Sequence, residues 1–294
     1  MEDALIYDIG MHNGNDTAFY LAGGFRVIAV EADPDLVAAA NMRFKAEIEA
    51  KRLIILNIAI AENATTAEFW INEKRSALNS FSRKLAARDG EPHHSILVPC
   101  GRLDQLLAKY GVPFYIKIDI EGNDLICCNQ LSSGNKPEYI SVEMSHEDLL
   151  LKLRDLGYDR FKLINQHNLQ PVESLNLEFH VRIFRRLYRI ANYHPADRGL
   201  FLRFVRAIAA NILRLATALG LWEVSRPFKS RMLPEWNFAP ESIGTYSGTF
   251  GKDLPGKWLT WEQAASIWNR EMREYQKMGK ELCCDLHATT GREN

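Results

Sequence analysis

The feature that most constrains the fold is a pair of short apolar runs near the N-terminus. The first run, Ala4–Ile9, leads into the loop Asp8-Ile9-Gly10-Met11-His12-Asn13-Gly14, and the second run, 25–30, ends at Glu31. Glycines permit a tight turn and a close approach of the backbone to a ligand, and the composition of Asn15–Ala22 favours a helix. An acid at the carboxyl end of a parallel strand can accept hydrogen bonds from a ribose diol. The pattern therefore predicts a nucleoside-binding strand–helix–strand unit.

The spacing of the loop glycines indicates which nucleoside this unit binds. Dinucleotide sites use G-x-G-x-x-G, in which the second glycine lets a pyrophosphate approach the helix N-terminus. Here the spacing is Gly10-x-x-x-Gly14 after Asp8, and the chain has no phosphate-loop Gly-Lys-Ser/Thr. An acid without a phosphate cradle favours a cationic ligand, and S-adenosyl-L-methionine (SAM) carries a sulfonium and an ammonium beside its ribose. The sequence therefore favours SAM over NAD.

Strands and helices alternate through the first half of the chain, which predicts a doubly wound, mostly parallel α/β sheet. Six strands are expected before residue 165, and a seventh, 281–287, is expected to return to the sheet edge after a helix over 260–279. The predicted organisation is a SAM-binding core over 1–174, a helical insertion over 175–249, and a C-terminal helix and strand over 250–294. The predicted first six strands end near Ile9, Val30, Ala59, Asp119, Glu143 and Ile164.

Composition limits the partners of the protein. A net charge of −1 gives no support for a nucleic-acid partner, which usually shows as a basic excess. The five cysteines have no C-x-x-C spacing and read as small buried hydrophobes in a cytoplasmic protein. An amphipathic helix over 200–219 could lie on a membrane surface, but a cap or a dimer helix is the favoured interpretation.

Acidic residues at the ends of the fourth and fifth predicted strands form the candidate catalytic group. Alternation places Asp119 and Glu121 on the same side while the chain is extended, and Glu143 and His146 follow the next strand. Such a set can act as a base with its orienting partners, or bind a divalent cation that acidifies an acceptor hydroxyl. Alternatively, Glu121 pairs with Lys117 or caps the helix that begins at Gly122. The sequence leaves the presence of a metal undecided.

These motifs resemble those of the FkbM-type SAM-dependent methyltransferases, and the resemblance covers about residues 4–165. It implies a Rossmann-like class I methyltransferase fold with a mostly parallel seven-stranded sheet and helices on both faces. The chain departs from the usual small residues after the first glycine, since it carries Met11-His12. The matching segments are Asp8–Gly14, Glu31 with Asp33-Pro34, Asn57-Ile58-Ala59, Leu103-Asp104 and, as the most specific, Lys117-Ile118-Asp119-Ile120-Glu121-Gly122.

The resemblance also implies the roles of individual residues. The glycine loop would hold the methionine portion of SAM, Glu31 the ribose, and the 57–59 region the adenine. The cofactor-binding residues so implied are Asp8, Gly10, His12, Asn13, Gly14, Glu31, Ala32, Asn57, Ala59 and Asp119. Asp119, Glu121 and His146 are the predicted catalytic residues.

The predicted activity is methylation of a hydroxyl on a sugar, a glycan or a small secondary metabolite. Two alternatives stay open. A nicotinamide-dependent oxidoreductase would share the ribose-binding acid but needs the absent G-x-G-x-x-G. A non-catalytic nucleoside-binding partner protein would keep Asp8 and Glu31 but has no need for Asp119 and Glu121. The oligomeric state does not follow from the sequence.

Overall fold

A computed structural model describes residues 4–166, 169–172, 247–277 and 282–291. Within these residues, strands and helices alternate as the sequence predicts. The strands are β1 (Leu5–Ile9), β2 (Arg26–Glu31), β3 (Leu53–Asn57), β4 (Ala59–Ile60), β5 (Thr66–Asn72), β6 (His93–Gly101), β7 (Tyr115–Ile118), β8 (Tyr139–Glu143), β9 (Arg160–Asn165) and β10 (Cys284–Thr289). The helices are α1 (Asn15–Ala22), α2 (Pro34–Arg43), α3 (Lys45–Glu49), α4 (Arg83–Ala86), α5 (Leu103–Tyr110), α6 (Asp124–Asn129), α7 (Glu147–Asp155) and α8 (Trp261–Lys277).

Seven of these strands form one sheet in the order β3-β2-β1-β7-β8-β10-β9. The first five are parallel, and β10 is antiparallel to both of its neighbours. Ile9 pairs with Val30 on one side and Ile118 on the other, so the carboxyl ends of β1, β2 and β7 meet at one edge. The arrangement confirms the predicted Rossmann-like class I fold and brings the glycine loop beside the Asp119 segment.

The position of the last strand differs from the prediction. Instead of lying at the sheet edge, β10 is inserted between β8 and β9 and pairs with both along its length. All six of its residues are buried, and Leu286 and Ala288 belong to the main hydrophobic core. Cys284, Leu286 and Ala288 lie on one face of β10, and the polar residues Asp285, His287 and Thr289 lie on the other. A central position covers both faces and pairs both edges of the strand.

Two further element boundaries differ from the sequence prediction. The helix expected to run from Pro34 to about residue 52 is interrupted at Phe44, whose buried ring packs against the glycine loop and separates α2 from α3. The third strand ends at Asn57, and residues 59–60 join a second sheet with the order β4-β6-β5. The smaller sheet contributes its own apolar cluster around Phe69, Val98 and Cys100.

The predicted insertion, 175–249, lies outside the described residues except for its last three, and so does the predicted amphipathic helix over 200–219. Among the helices that the structure does describe, none is long and apolar enough to span a bilayer. Four of the five cysteines, Cys100, Cys127, Cys128 and Cys284, are buried, as expected for small hydrophobic residues.

Candidate active site

A cavity of about 420 Å³ opens at the carboxyl edge of the main sheet. This is the edge at which open α/β sheets bind ligands, and the volume is within the range of small-molecule sites. Eight of the predicted site residues contribute to its lining: Gly10, His12, Asn13, Glu31, Ala32, Ala59, Asp119 and Glu121. The structure thus brings together residues that are more than 100 positions apart in the sequence.

Gly10 is the point at which the glycine loop meets the end of β7. Its φ is +87°, a conformation that side chains disfavour. A Cβ atom here would lie 2.8 Å from the carbonyl carbon of Asp119 and closer still to its oxygen, whereas real Cβ atoms essentially never come within 3.0 Å. The Gly10 and Met11 N–H groups both donate to Val30 at 2.9 Å. Only glycine therefore lets the loop pack against β7 while bonded to β2.

Glu31 organises the rim beside this loop. Its carboxylate accepts a hydrogen bond from the His12 N–H at 2.7 Å and another from the Asp33 N–H at 2.9 Å. Burial raises the pKa of Glu31, while these two bonds act in the opposite direction. Each carboxylate oxygen has two acceptor sites, so both oxygens can still accept bonds from a ribose diol.

The segment after β5 closes this side of the cavity. The His12 ring is hydrogen-bonded to the Ser76 hydroxyl at 2.8 Å, and Asn79 donates to the Asp33 carboxylate at 2.8 Å. Burial lowers the pKa of His12, which keeps its ring neutral. Sequence reasoning gave neither Ser76 nor Asn79 a role, because their contacts link segments that are distant in the chain.

Three predicted cofactor residues lie behind the lining. Asp8 is fully buried, accepts a hydrogen bond from the Thr17 hydroxyl at 2.6 Å, and has a pKa raised by burial to about 7. Gly14 caps α1 at φ +77°, and a Cβ there would meet Phe44 at 2.6 Å. Asn57 donates to the carbonyl oxygens of residues 31 and 32 at 3.0 Å each. In this structure all three support the cavity wall from behind.

A buried lysine links the glycine loop to the acidic residues of the site. The Lys117 Nζ lies 3.1 Å from one carboxylate oxygen of Asp119 and 3.2 Å from one of Asp16. Burial disfavours its charge, yet the surrounding carboxylates hold the pKa of Lys117 well above its ordinary value. Asp16 also accepts from the Ser247 N–H at 2.6 Å and from its hydroxyl at 2.8 Å. The sequence pattern indicated no site role for Asp16 or Ser247, and Lys117 was named only in the Lys117–Gly122 segment and as a partner of Glu121.

Three carboxylates converge beyond Lys117. Asp119, Glu121 and Glu143 each offer an oxygen, and these oxygens all lie within 4.8 Å of one another. Burial, followed by the charge of Asp119, raises the pKa of Glu121 to about 7 and that of Glu143 to about 9. Asp285, the register partner of Glu143 on β10, has a pKa raised by burial to about 7. Such a group can share protons or ligate a divalent cation.

Glu121 reaches this group through a turn and not by strand alternation, because β7 ends at Ile118. Its φ is +49°, and the buried Ser80 hydroxyl donates to its carbonyl oxygen at 2.9 Å. Neither of the alternatives considered for Glu121 is observed. Lys117 pairs with Asp16 and Asp119, and the side chain that accepts a backbone N–H at this turn is that of Asp124.

The structure does not bring His146 into the carboxylate group. This residue precedes α7 with an exposed side chain and does not contribute to the cavity lining. Its neighbour in sequence, Glu143, is the residue from this segment that faces the site. Directly after β8, the backbone N–H of Met144 donates to the carbonyl oxygen of Cys284 at 2.9 Å.

The charge of the lining fits a cationic nucleoside. Five acids line the cavity (Asp16, Glu31, Asp119, Glu121 and Glu143), and Lys117 is the single Lys or Arg among the described lining residues. An excess of carboxylates repels the pyrophosphate of a dinucleotide and attracts the sulfonium and ammonium of SAM. The apolar part of the lining, which includes Ile58, Phe69 and Phe81, suits an adenine ring. The residues present therefore fit SAM.

Comparisons with known proteins identify the family. A family model described as the methyltransferase FkbM domain matches residues 8–160, just over half of the chain. No curated protein sequence matches the chain.

Similar solved structures include three bacterial proteins. Precorrin-6Y C5,15-methyltransferase from Geobacter metallireducens is 15% identical, with 56% of this chain and 71% of that chain covered and a TM-score of 0.32. An rRNA methylase from Streptococcus thermophilus is 14% identical, with coverage of 60% and 81% and a TM-score of 0.32. A Streptococcus mutans protein in complex with S-adenosylhomocysteine (SAH) is 12% identical, with coverage of 60% and 84% and a TM-score of 0.33.

The family match spans the glycine loop, Glu31 and the Lys117–Gly122 segment, all of which meet at the cavity. It confirms SAM as the cofactor in place of NAD. The chain belongs to the FkbM family of SAM-dependent methyltransferases.

Proposed function

We propose that this methyltransferase methylates a hydroxyl group of a sugar, a glycan or a small secondary metabolite. The observation that supports this proposal is the convergence of Asp119, Glu121 and Glu143 at the cavity. A hydroxyl is a weak nucleophile that must lose its proton during methyl transfer, so a group able to take that proton is needed. Nucleophiles that carry no removable proton do not require such a group.

SAM supplies a methyl group that is already activated for transfer. The tasks of the chain are to hold the acceptor oxygen in line with that methyl group and to remove the proton. Glu31 and the glycine loop position the nucleoside, and Lys117 fixes the carboxylate of Asp119. The close packing of Gly10 against the Asp119 backbone keeps the glycine loop and the Asp119 segment from shifting relative to each other.

Glu121 is the proposed proton acceptor. With a pKa of about 7, its side chain is largely ionised at pH 8 yet basic enough to accept a proton. Glu143, with a pKa of about 9, is largely protonated at the same pH and can donate a hydrogen bond within the group. The two carboxyl groups therefore take different protonation states, as required for one base and one donor.

The experiment is a screen of hydroxylated sugars and small metabolites with SAM, in which release of SAH is measured. With a responding acceptor, Glu121→Gln is expected to lower kcat by about a hundredfold, a typical contribution of a general base, with unchanged SAH affinity. Glu68→Gln is the matched control, because Glu68 is exposed on β5 outside the cavity. The wild-type kcat should rise with pH through an apparent pKa near 7.

Unchanged kcat in Glu121→Gln would contradict the role of Glu121 as base. Loss of activity in EDTA with recovery on Mg²⁺ addition would instead favour a cation held by the same carboxylates. Titration with SAM, SAH and NAD supplies the earlier test, because absence of binding by all three ligands would point to a protein that has lost its cofactor.

A further inference from the structure

The Lys117–Asp16 pair requires an explanation, because a charged lysine is rare inside a parallel strand. Lys117 lies between Ile116 and Ile118 in β7, and only 7% of its side chain is exposed. Burying an ammonium group is costly unless it is paired, and here two carboxylates supply the pairing. An aliphatic residue would avoid this cost entirely, so stability alone does not account for the lysine.

The pair is located at the end of the cavity that adjoins the glycine loop. Asp16 lies in the first turn of α1, two residues after Gly14, and both Asp16 and Lys117 contribute to the lining. Only 12% of the Asp16 side chain and 7% of the Lys117 side chain are exposed, and these exposed parts face the space that a ligand would fill. The cavity end beside the loop thus presents a cation and an anion in contact.

Counting hydrogen-bond sites shows that the pair can still bind a ligand. The ammonium of Lys117 has three donors, of which Asp16 and Asp119 use two. The Asp16 carboxylate has about four acceptor sites, and the Ser247 N–H, the Ser247 hydroxyl and Lys117 use three. One donor and one acceptor remain, a few ångströms apart and fixed by four bonds.

We infer that Lys117 and Asp16 bind the amino-acid end of SAM, with Lys117 donating to the α-carboxylate and Asp16 accepting from the α-ammonium. A zwitterion has the charge pattern complementary to an adjacent lysine and aspartate, and charge-assisted hydrogen bonds are the stronger class. This inference rests on the proposed function only in that both require SAM in the cavity. It assigns the amino-acid end to residues that the sequence analysis did not consider for it.

Two other assignments fit the structure less well. Asp8, the acid that the resemblance placed on the methionine portion, lies behind the lining and is bonded to Thr17. The methyl acceptor is also a poor match for the Lys117–Asp16 pair. The Asp119 carboxylate bonds to Lys117 and also belongs to the group that it forms with Glu121 and Glu143, so Asp119 lies between Lys117 and the proposed base. The pair is therefore on the cofactor side of the proposed base.

The test compares two ligands that differ at the amino-acid end. SAH contains it, whereas 5′-methylthioadenosine keeps the adenine, ribose and sulfur but lacks the amino and carboxyl groups. Calorimetric titrations would be made with the wild type, Lys117→Met and Asp16→Asn. Lys162→Met is the matched control, because Lys162 is also a buried lysine of the main sheet but donates to the Leu254 carbonyl, outside the lining.

The expected result is that Lys117→Met and Asp16→Asn weaken SAH binding by about tenfold to a hundredfold, the effect of losing a charge-assisted hydrogen bond. Binding of 5′-methylthioadenosine should change by less than about threefold, since that ligand does not reach the pair. Lys162→Met should leave the ratio of the two affinities unchanged. If Lys117→Met does not fold, Asp16→Asn alone provides the same comparison.

Equal losses for both ligands would overturn the inference, because they would show that the pair only supports the cavity wall. Equal affinity of the wild type for SAH and 5′-methylthioadenosine would also overturn it, while leaving the proposed function intact. If the wild type binds neither ligand, both the inference about the pair and the proposed function are refuted. The wild-type titration alone distinguishes this outcome from the first two.

Discussion

Gly10→Ala isolates the contact on which the geometry of the site depends. The new Cβ would lie 2.8 Å from the Asp119 carbonyl carbon and closer to its oxygen, so the loop or β7 must move. Overpacking of this kind costs about 1–3 kcal/mol, and the φ of +87° adds about 1–2 kcal/mol of strain. We therefore expect a loss of about 2–5 kcal/mol in the free energy of unfolding.

Gly90→Ala separates the two contributions. Gly90 has a φ of +71°, but a Cβ there meets nothing within 4 Å, so only the strain of about 1–2 kcal/mol is expected. Urea unfolding of the two variants and the wild type gives both differences. SAH titration should show weakened binding for Gly10→Ala alone, because Asp119 moves with the loop. Equal destabilisation of the two variants would refute the reasoning about Gly10.

Two further predictions concern single acids. Glu31→Ala should weaken SAH binding by at least about tenfold, because the ribose loses its acceptor and the His12 N–H loses its partner. Calorimetry with Glu68→Ala as control checks this, and an unchanged affinity would contradict the ribose assignment. Glu143 has a pKa raised from 4.5 to about 9, so the folded protein holds a proton that the unfolded chain releases, and stability should fall as pH rises through this range. In urea unfolding, the free energy of unfolding of Glu143→Gln should therefore fall less than that of the wild type between pH 5 and pH 9. An equal fall would contradict the raised pKa of Glu143.

Local patterns predicted the elements that local forces determine. The apolar runs, the glycines and the acid of the first strand–helix–strand unit indicated β1, α1 and β2 to within a residue. The place of β10 did not follow in the same way. Which strands it joins depends on pairing with Tyr139–Glu143 and Arg160–Asn165, and the residue pattern of one strand does not specify its partners.

Some residues of the candidate site could likewise be predicted from local sequence patterns, and others could not. Gly10, Glu31, Asp119 and Glu121 were predicted because they follow strands at one sheet edge. Asp16 and Ser247 were missed, because their contacts join segments more than 200 residues apart. Lys117 did carry a signal, since a lysine inside the apolar strand Tyr115–Ile118 must find a buried partner. Sequence alone does not show that Asp16 on α1 is one of the two partners that it finds.

The central position of β10 also has a consequence for the order in which the protein can be assembled during synthesis. Within the described sheet, β10 is the only strand next to β9, and Asp285 of β10 pairs with Glu143 of the proposed proton-sharing group. A ribosome makes β9 long before β10, and contacts between distant segments form slowly. The nascent chain can therefore build the nucleoside-binding half first, but β9 and the surroundings of Glu143 stay incomplete until residue 289 has been released. A stop codon before residue 284 would remove the strand that joins β9 to the sheet.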